Sequence, residues 1–312
     1  MTGRSPFTGV AVLVMCLVWG STWFVLQEGL QDMEPLGSAG LRFALAWLIM
    51  LPIAGLIHRG EGGGRPTPRL VAAMALGNFS ISYGIVYWAE ETLPSGLAAV
   101  LWGIYPIQTA LIGHFYLPET RIVGLQWLGL FVGFLGVVLL FFTDIAAVGG
   151  DATLRGAVLL LSPTVSALST AYVKKHGGGV SAALLNRSAL FIGSILLLVA
   201  AFTLEGGIRL PHGAAAIGGL VYLAGMGTVL TFTLYFWVLR TSSAVSLSLI
   251  AYVTPAIALA IGTTVGDERV TAWTLSGLAL ILIGCALVLR RPRAQPRAHS
   301  TEQESSRQGV AG

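Results

Sequence analysis

Aromatic and uncharged polar side chains inside long apolar segments are the residues of this chain best placed to do chemistry. Trp19, Thr22 and Trp23 share one face of a helix, because residues three and four positions apart are neighbours there. Other apolar segments contribute the same two kinds of side chain: Asn78, Ser82, Tyr83, Trp102, Tyr105, Gln108, Ser166, Thr228, Thr231, Tyr235 and Tyr252. Aromatic walls with a few hydrogen-bonding groups suit a cavity for a small amphipathic solute.

Each of these side chains also has a plainer explanation. Hydroxyl groups in membrane helices often bond to backbone or bridge helices, and amides such as those of Asn78 and Gln108 need partners at that depth. Trp19 and Trp23 can simply pack against neighbouring helices. Tyr87 and Trp88 lie at the end of a segment, a position that favours the aromatic belt at the membrane interface over a binding site.

Two arginines are the charged candidates. Arg42 and Arg187 each lie roughly six residues into an apolar segment, or about 9 Å along a helix. A charge at that depth is costly and marks a functional hypothesis, here the capture of a substrate carboxylate. We favour a structural role for both, since a long Arg side chain can reach the interface. Arg42 has the further option of pairing with Glu28, Glu90 or Glu91.

Two prolines and two glutamates recur at matched places in the chain. Pro106 and Pro255 lack an amide donor and clash with the preceding turn, so each is expected to kink or unwind its helix. They are candidates for a paired gate, or for static kinks that shape packing. Glu119 and Glu268 lie ahead of the next apolar segment, where a carboxylate complements the helix N-terminus, and we favour that role over proton coupling.

The sequence contains no residue arrangement expected of an enzyme or a metalloprotein. It has no Ser-His-Asp set, no metal-spaced cluster of His and Cys, and no phosphate-binding Gly-x-x-x-x-Gly-Lys-Ser/Thr loop. Its two cysteines, Cys16 and Cys285, stand in separate apolar segments. We therefore predict that the chain is no enzyme, requires no cofactor or metal, and binds no nucleic acid.

The elements that must position these residues are membrane helices. Of the 312 residues, 55% are hydrophobic and only 10% are charged, and the mean hydropathy is +0.79. A helix needs about 20 apolar residues to cross a bilayer. The predicted spans are Phe7–Gly29, Leu36–Ile57, Arg69–Trp88, Ser95–Leu117, Ile122–Thr143, Leu154–Val173, Ala183–Thr203, Gly213–Leu239, Ala244–Thr264 and Thr271–Leu289.

The distribution of basic residues indicates the orientation of these spans. With the N-terminus in the cytoplasm, only Arg155, Arg209 and Arg269 fall in loops on the outer side. The positive-inside rule therefore predicts that both termini are cytoplasmic. The lipid bilayer is the expected surrounding partner, and the cytoplasmic membrane the expected location.

The second half of the chain repeats the pattern of the first. Three residues around the second proline follow their counterparts by 149 positions, and two later glycines follow theirs by 148: Pro106 and Pro255, Gly113 and Gly262, Glu119 and Glu268, Gly129 and Gly277, Gly136 and Gly284. An odd number of spans in each copy inverts the second copy, as in many secondary transporters.

We predict an all-α polytopic membrane protein with ten transmembrane helices arranged as two inverted five-helix repeats. The first repeat covers residues 1–148, the second covers 149–290, and 291–312 form a disordered cytoplasmic tail. The glycines at 129, 133 and 136 permit close helix approach. We favour packing within the bundle over a homodimer interface for them, and both a monomer and a homodimer remain open.

The opening residues Trp19-Gly20-Ser21-Thr22-Trp23 resemble the Trp-Gly-Ser/Thr signature of the EamA family, within the drug/metabolite transporter superfamily. Arg42, Pro106, Glu119 and the glycines from 129 to 136 follow the same pattern, and their counterparts after Pro255 repeat its latter part. The resemblance covers about Phe7 to Leu289. It departs from the pattern at Pro118, where Gly is usual, and in the sixth span, which lacks the Trp-Gly signature.

The resemblance implies a secondary transporter that exports small metabolites, most often amino acids or related amphipathic compounds, by alternating access. The small-molecule substrate would bind at the middle of the membrane between the two repeats. Two alternatives stay open: an extruder of small drugs, and a non-transporting membrane receptor or assembly subunit.

Overall fold

The computed structural model describes residues 6–117, 122, 124–241 and 244–289, so Glu119 lies outside the described residues. Within those ranges the chain is a series of helices joined by short loops. Labelled α1 to α10 in chain order, they cover Pro6–Gly29, Pro35–Glu61, Pro68–Glu90, Ser95–Tyr116, Leu125–Val148, Ala152–His176, Ala182–Leu204, 214–241, Ala244–Thr264 and Ala272–Leu289.

Nine of these helices, among the described residues, are long and apolar enough to cross a membrane. The chain is thus a polytopic all-α membrane protein. In α9 only the part Val253–Thr264 is counted, as a shorter apolar helix. The predicted total of ten spans and the inverted repeat remain predictions.

Helix ends follow local sequence. Pro35 and Pro68 occupy the first turns of α2 and α3, where the missing amide hydrogen costs no hydrogen bond. The Ser181 hydroxyl accepts a hydrogen bond from the Leu184 amide at 3.2 Å and caps α7. Gly62 follows α2 with φ of 69°, a left-handed value that glycine adopts without strain.

Several helices depart from regular α geometry in the membrane. Helices α3, α5 and α8 each contain a π-helical segment, Ala75–Ile81, Phe141–Ile145 and Gly225–Leu230 respectively. Helix α4 is interrupted at Gly103, and Pro106 lies in the first turn of its second part, Tyr105–Tyr116. Pro255 lies inside α9, which continues through it as a helix. Unwinding next to a proline is therefore found at Pro106 and not at Pro255.

The closest helix pairs are α5 with α10 and α2 with α7. A Cβ added at Gly129 of α5 would lie 2.7 Å from the Gly284 carbonyl oxygen of α10, and one added at Gly284 would lie 2.6 Å from the Gly129 oxygen. The two helix backbones meet at positions where neither helix has a side chain. The glycine stripe thus packs inside the bundle, as favoured from the sequence.

Glutamates at the helix ends tie different helices together. The Glu205 carboxylate accepts the Leu36 and Gly37 amides at 2.7 and 3.0 Å, at the start of α2. At the other end of the same helix pair, the Ala183 amide donates to Glu61 at 3.1 Å. Each antiparallel helix therefore carries a carboxylate for the positive N-terminus of the other.

Glu268 also caps a helix, but a different one from that expected. Its carboxylate accepts the Ser95 and Gly96 amides at 2.8 and 2.9 Å and the Ser95 hydroxyl at 2.5 Å. These groups begin α4, whereas the sequence placed Glu268 at the start of the following helix. Glu268 therefore caps a helix, as preferred, but that helix is α4 and not α10. A residue in a loop can contact a helix that is distant in the sequence.

Candidate functional site

Arg42 is the centre of the candidate site, and its side chain is only 2% exposed. Its guanidinium donates to the Thr228 hydroxyl at 3.1 Å, the Tyr87 hydroxyl at 3.3 Å and the Gly227 carbonyl at 3.4 Å. It also lies 5.0 Å from the ring centroid of Tyr83, at a distance where a cation is attracted to an aromatic face.

The described hydrogen-bond partners of Arg42 are all neutral groups. The pairing with a glutamate, one of the options that the sequence left open, is not formed. Glu91 pairs with Arg155 at 2.7 Å, Glu28 accepts the Gln31 amide at 3.1 Å, and Glu90 has no hydrogen-bond partner. Nor does the side chain reach the interface, since it is buried among α2, α3 and α8. A buried cation without a bonded countercharge is costly, and it is therefore suited to attract an anionic ligand.

Tyr87 corrects another prediction. It was assigned to the interfacial belt because it lies near the end of its segment. In the structure its side chain is fully buried and hydroxyl-bonded to Arg42. Its spacing of four residues from Tyr83 places both rings on the Arg42 side of α3, a helical-face signal that the sequence did carry.

The π-helical segment of α8 brings several donors to one carbonyl. The Gly227 oxygen accepts from Arg42, from the Trp19 indole at 3.3 Å and from the Thr231 hydroxyl at 2.9 Å. A π segment shifts the helical hydrogen-bond ladder, and such segments occur frequently at functional sites. Glycine at this point also allows Thr22 of α1 to approach the backbone closely.

A cavity of about 660 Å³ lies between α1, α2, α7 and α8. At one end it is bordered by Glu61 at the end of α2 and Ala183 at the start of α7, on the membrane face where α1 begins. At its inner end it reaches Thr228, whose hydroxyl accepts the Arg42 Nε–H. The walls are mostly apolar, with Val10, Ala11, Val14, Met50, Ile57, Leu190, Val229, Phe232 and Leu234 among the lining residues.

Asn186 is a polar side chain in the cavity wall that sequence reasoning did not single out. It is 3% exposed, and its Oδ1 has no hydrogen-bond partner. A buried amide oxygen without a donor is costly and is expected to accept a bond from a water or a ligand. Its place next to Arg187 in the sequence drew attention to the charged neighbour instead.

The predicted aromatic residues form two groups. Trp19 lies against Phe232 and Tyr235, with ring centroids 5.9 and 6.0 Å apart. Trp102 stacks on Tyr105 at 4.8 Å and lies 6.3 Å from Trp23. The first group borders the Gly227 carbonyl, and the second lies where α4 is interrupted.

The predicted polar residues of α3 and α6 bond to one another. Asn78 donates to Ser169 at 3.0 Å and accepts from Ser166 at 2.5 Å. Ser82 and Ser162 are 2.9 Å apart, and the Trp102 indole donates to Ser162 at 3.1 Å. These bonds hold α3 and α6 together, which is the plainer of the two roles considered for them.

Other predicted residues have mixed surroundings. Gln108 donates to the Leu160 carbonyl at 3.1 Å, while its Oε1 is buried without a partner. The Tyr105 hydroxyl is 3.3 Å from that of Thr170. Apart from Thr228, none of the predicted residues whose side chains are described lines the cavity. Tyr252 belongs to α9, and its side chain lies outside the described residues.

Arg187 is separate from the Arg42 region. With His58 and Arg65 it lines a groove of about 560 Å³ on the opposite side of α7 from Asn186. The structure therefore does not bring the two intramembrane arginines together.

Two loop carboxylates outside the spans have perturbed acidities. Asp32 accepts the His212 and Gly213 amides at 2.6 and 3.3 Å, and these bonds lower the pKa of its carboxyl group. A hydrogen bond from Arg155 at 2.6 Å lowers the pKa of Asp151. Both acids are thereby held in the charged form, and Asp32 joins the loop after α1 to the loop before α8.

The chain belongs to the EamA-like transporter family, which it matches over residues 7–142 and again over 154–290. It is thus a membrane transporter by family. It is 29% identical over 290 residues to an uncharacterized inner membrane transporter, YedA of Escherichia coli, with 89% of each chain covered. It is 28% identical to the uncharacterized transporter YvbV of Bacillus subtilis, with 94% of this chain and 95% of that one covered.

The chain is also similar to a further named relative and to a solved structure. A probable amino-acid metabolite efflux pump of Escherichia coli is 26% identical, with 88% of this chain and 92% of the relative covered. A solved crystal structure superposes with a TM-score of 0.65 at 16% identity and covers 92% of this chain and 98% of its own. That second likeness concerns the fold alone.

Proposed function

We propose that this protein is a secondary transporter that exports small metabolites bearing a carboxylate, namely amino acids or related amphipathic compounds. It would work by alternating access in the cytoplasmic membrane, with both termini in the cytoplasm. Family membership supports transport, and the similarity to a probable amino-acid metabolite efflux pump supports the choice of solute.

The observation that carries the proposal is Arg42, a buried guanidinium whose bonded partners are neutral and which lies directly behind the inner end of the cavity. A carboxylate at this end would supply the missing countercharge in a medium of low dielectric constant, where the attraction is strong. Thr228 lies between the cavity and Arg42, so the carboxylate would contact the Thr228 hydroxyl before it reaches the guanidinium.

The apolar lining of the cavity suits the remainder of such a solute. Aliphatic and aromatic walls favour a side chain of the same kind, and the unpartnered Asn186 oxygen suits an ammonium or amide donor of the solute. The volume of about 660 Å³ lies within the range usual for small-molecule sites.

The described conformation would be the one open toward the membrane face where α1 begins. At the opposite face Glu205, Glu268 and Arg155 tie helix ends together. Release would require these contacts to loosen while the cavity side closes. The break next to Pro106 and the proline within α9, Pro255, are the proposed paired gating points, and Trp23, Trp102 and Tyr105 would move with the first of them.

A small-drug extruder is the second candidate within the same class. The mostly apolar walls of the cavity would accept a lipophilic cation, but Arg42 behind its inner end would repel one. Arg187, in its separate groove, is proposed as a structural cation at the membrane interface.

The test of this site uses bulky substitutions on one helix. Asn186→Trp should fill the cavity and reduce amino-acid counterflow in proteoliposomes to near the protein-free level. The control is Ser188→Trp, since Ser188 lines the groove on the other side of α7 and should leave flux in place. Equal flux in the two variants, at equal protein content, would show that the cavity is not part of the transport path.

A further inference from the structure

Glu90 is a buried acid that the proposed site does not use. It is the last residue of α3 and is only 1% exposed. Neither carboxyl oxygen has a hydrogen-bond partner, and both are shielded from solvent. Among the glutamates discussed above, this differs from Glu61, Glu91, Glu205 and Glu268, each of which is hydrogen-bonded or ion-paired.

The burial of Glu90 dictates its protonation in this conformation. An ionised carboxylate without hydrogen bonds is far more costly to bury than the neutral acid. The neutral acid is therefore the form that this buried position favours. A conformational change that admits water or a cation would remove the penalty and allow the proton to leave.

The charged groups near Glu90 make its proton relevant to the site. Arg42 from α2 and Glu268 from the loop before α10 are close enough to act on it electrostatically, and Tyr87 is a neighbour on its own helix. From α6, Arg155 is engaged by Glu91, Asp151 and the Trp88 carbonyl. From α1, Gln27 bonds the Leu93 carbonyl and the Ser95 amide.

These neighbours form one connected stripe. Tyr83, Tyr87 and Glu90 recur at helical spacing along α3, and Arg42 contacts both tyrosines. Glu90 thus lies beyond Tyr87 on the side of α3 that faces the guanidinium. An ionised Glu90 would attract Arg42 along this stripe and away from Thr228 at the cavity end.

We propose that Glu90 is the proton-binding residue of this transporter, and that its protonation is coupled to occupancy of Arg42 by the substrate carboxylate. This rests on the proposed function. With Glu90 neutral, Arg42 is available to the substrate; with Glu90 ionised, the two carboxylates compete for one guanidinium. Because the proton and the substrate carboxylate bind together, both would leave to water on the face that is open at that moment, and outward flux would be driven by the gradient of the solute itself.

The coupling has a defined sign. Because proton binding at Glu90 favours carboxylate binding at Arg42, carboxylate binding must favour the proton equally. Substrate affinity should therefore fall as the pH is raised through the titration of Glu90. Above that point the protonated fraction falls about tenfold for each pH unit.

The first readout needs no substrate. Infrared titration of the purified full chain should show a carboxylic-acid carbonyl band that disappears as pH rises, and this band should be absent in Glu90→Gln. The control is Glu91→Gln, because Glu91 is a neighbouring surface acid paired with Arg155, and it should retain the band. A band that is the same in Glu90→Gln and wild type, or that is absent from wild type, would overturn the proposal that Glu90 binds the proton.

The second readout concerns coupling and uses labelled amino acids in proteoliposomes. Wild-type counterflow should fall with rising pH, whereas counterflow by Glu90→Gln, which mimics the neutral acid, should persist and be independent of pH. Pronounced pH dependence in Glu90→Gln would overturn the coupling. Absence of wild-type flux would count against the proposed function, while the infrared result would still decide whether Glu90 binds the proton.

Discussion

Two buried ionisable residues, Arg42 and Glu90, distinguish the proposed site from the rest of the molecule. Arg42 has three hydrogen bonds to neutral groups, and Glu90 has none at all. Both are costly arrangements that a purely structural role does not require. By contrast Arg155, which lies in the first turn of α6, is neutralised by two acids, as expected of a residue that joins loops.

Asp32 gives a prediction about pH. Its pKa is lowered in the folded protein by the amides of His212 and Gly213, so the carboxylate adds stability above the ordinary Asp range. That stability is lost as pH falls through the lowered folded value. Asp32→Asn should therefore have a lower Tm than wild type at pH 7, and the difference should close below about pH 4.

The measurement is thermal unfolding in detergent across that pH range. Glu28→Gln is the control, because Glu28 lies near the same loop and bonds only to the Gln31 side chain among its described contacts. A Tm difference for Asp32→Asn that stays constant with pH would show that the amide bonds do not depend on the charge.

Sequence reasoning identified Arg42 as a charged candidate but not its partners. Depth within a span is readable from one segment, whereas the approach of Tyr87 and Thr228 depends on how α2, α3 and α8 pack. The same limit explains Asn186, whose significance comes from an absent partner. For Asn78 and Ser82 the sequence raised two roles, and the observed bonds to α6 favour the structural one.

Among the helices, one departure from regular geometry forms part of the site. The π segment Gly225–Leu230 supplies both the carbonyl and the hydroxyl that bind Arg42. The segment Ala75–Ile81 contains Asn78, which bonds to α6. No periodicity in the sequence distinguishes a π segment from an α-helix, so these features were not predictable. The glycine contact between α5 and α10 was predictable, because it depends only on residue size.

The glycine contact between α5 and α10 gives a prediction about stability. Gly129→Leu would place a side chain against the backbone of α10, where even a Cβ would lie 2.7 Å from an oxygen. Overpacking of this kind costs about 1–3 kcal/mol or more, so Tm should fall by several degrees or the folded yield should drop.

Gly218→Leu is the matched control, since a Cβ at this exposed position in α8 meets nothing within 4 Å. Thermal unfolding and the monodisperse yield of both variants check the prediction. A Gly129→Leu protein as stable as Gly218→Leu would mean that α5 and α10 are not in close contact.

At the scale of the whole molecule, the two membrane faces differ. On the face opposite the start of α1, Glu205, Glu268 and Asp32 join loops and helix ends. On the other face a cavity penetrates to Thr228. This asymmetry is what one state of an alternating-access cycle requires. We propose that the closed face opens while the face with the cavity closes.

The fold class was predictable because hydrophobic length and residue size are written directly in the sequence. Composition and span length predicted a polytopic helical protein, and the opening Trp-Gly motif predicted the family that the comparison confirmed. The cavity was not predictable, because its position between α1, α2, α7 and α8 depends on packing of distant segments.

Arg42 is proposed to bind the carboxylate of the transported solute. The most direct measurement is counterflow in proteoliposomes with labelled amino acids, their decarboxylated amines and cationic drugs, for wild type, Arg42→Lys and Arg187→Lys. We expect wild type and Arg187→Lys to move amino acids well above protein-free liposomes. Arg42→Lys should lose about tenfold or more, since charge-assisted bonds are worth roughly 1.5–3 kcal/mol. Full amino-acid flux in Arg42→Lys, or wild-type flux of the amines and drugs alone, would contradict the account.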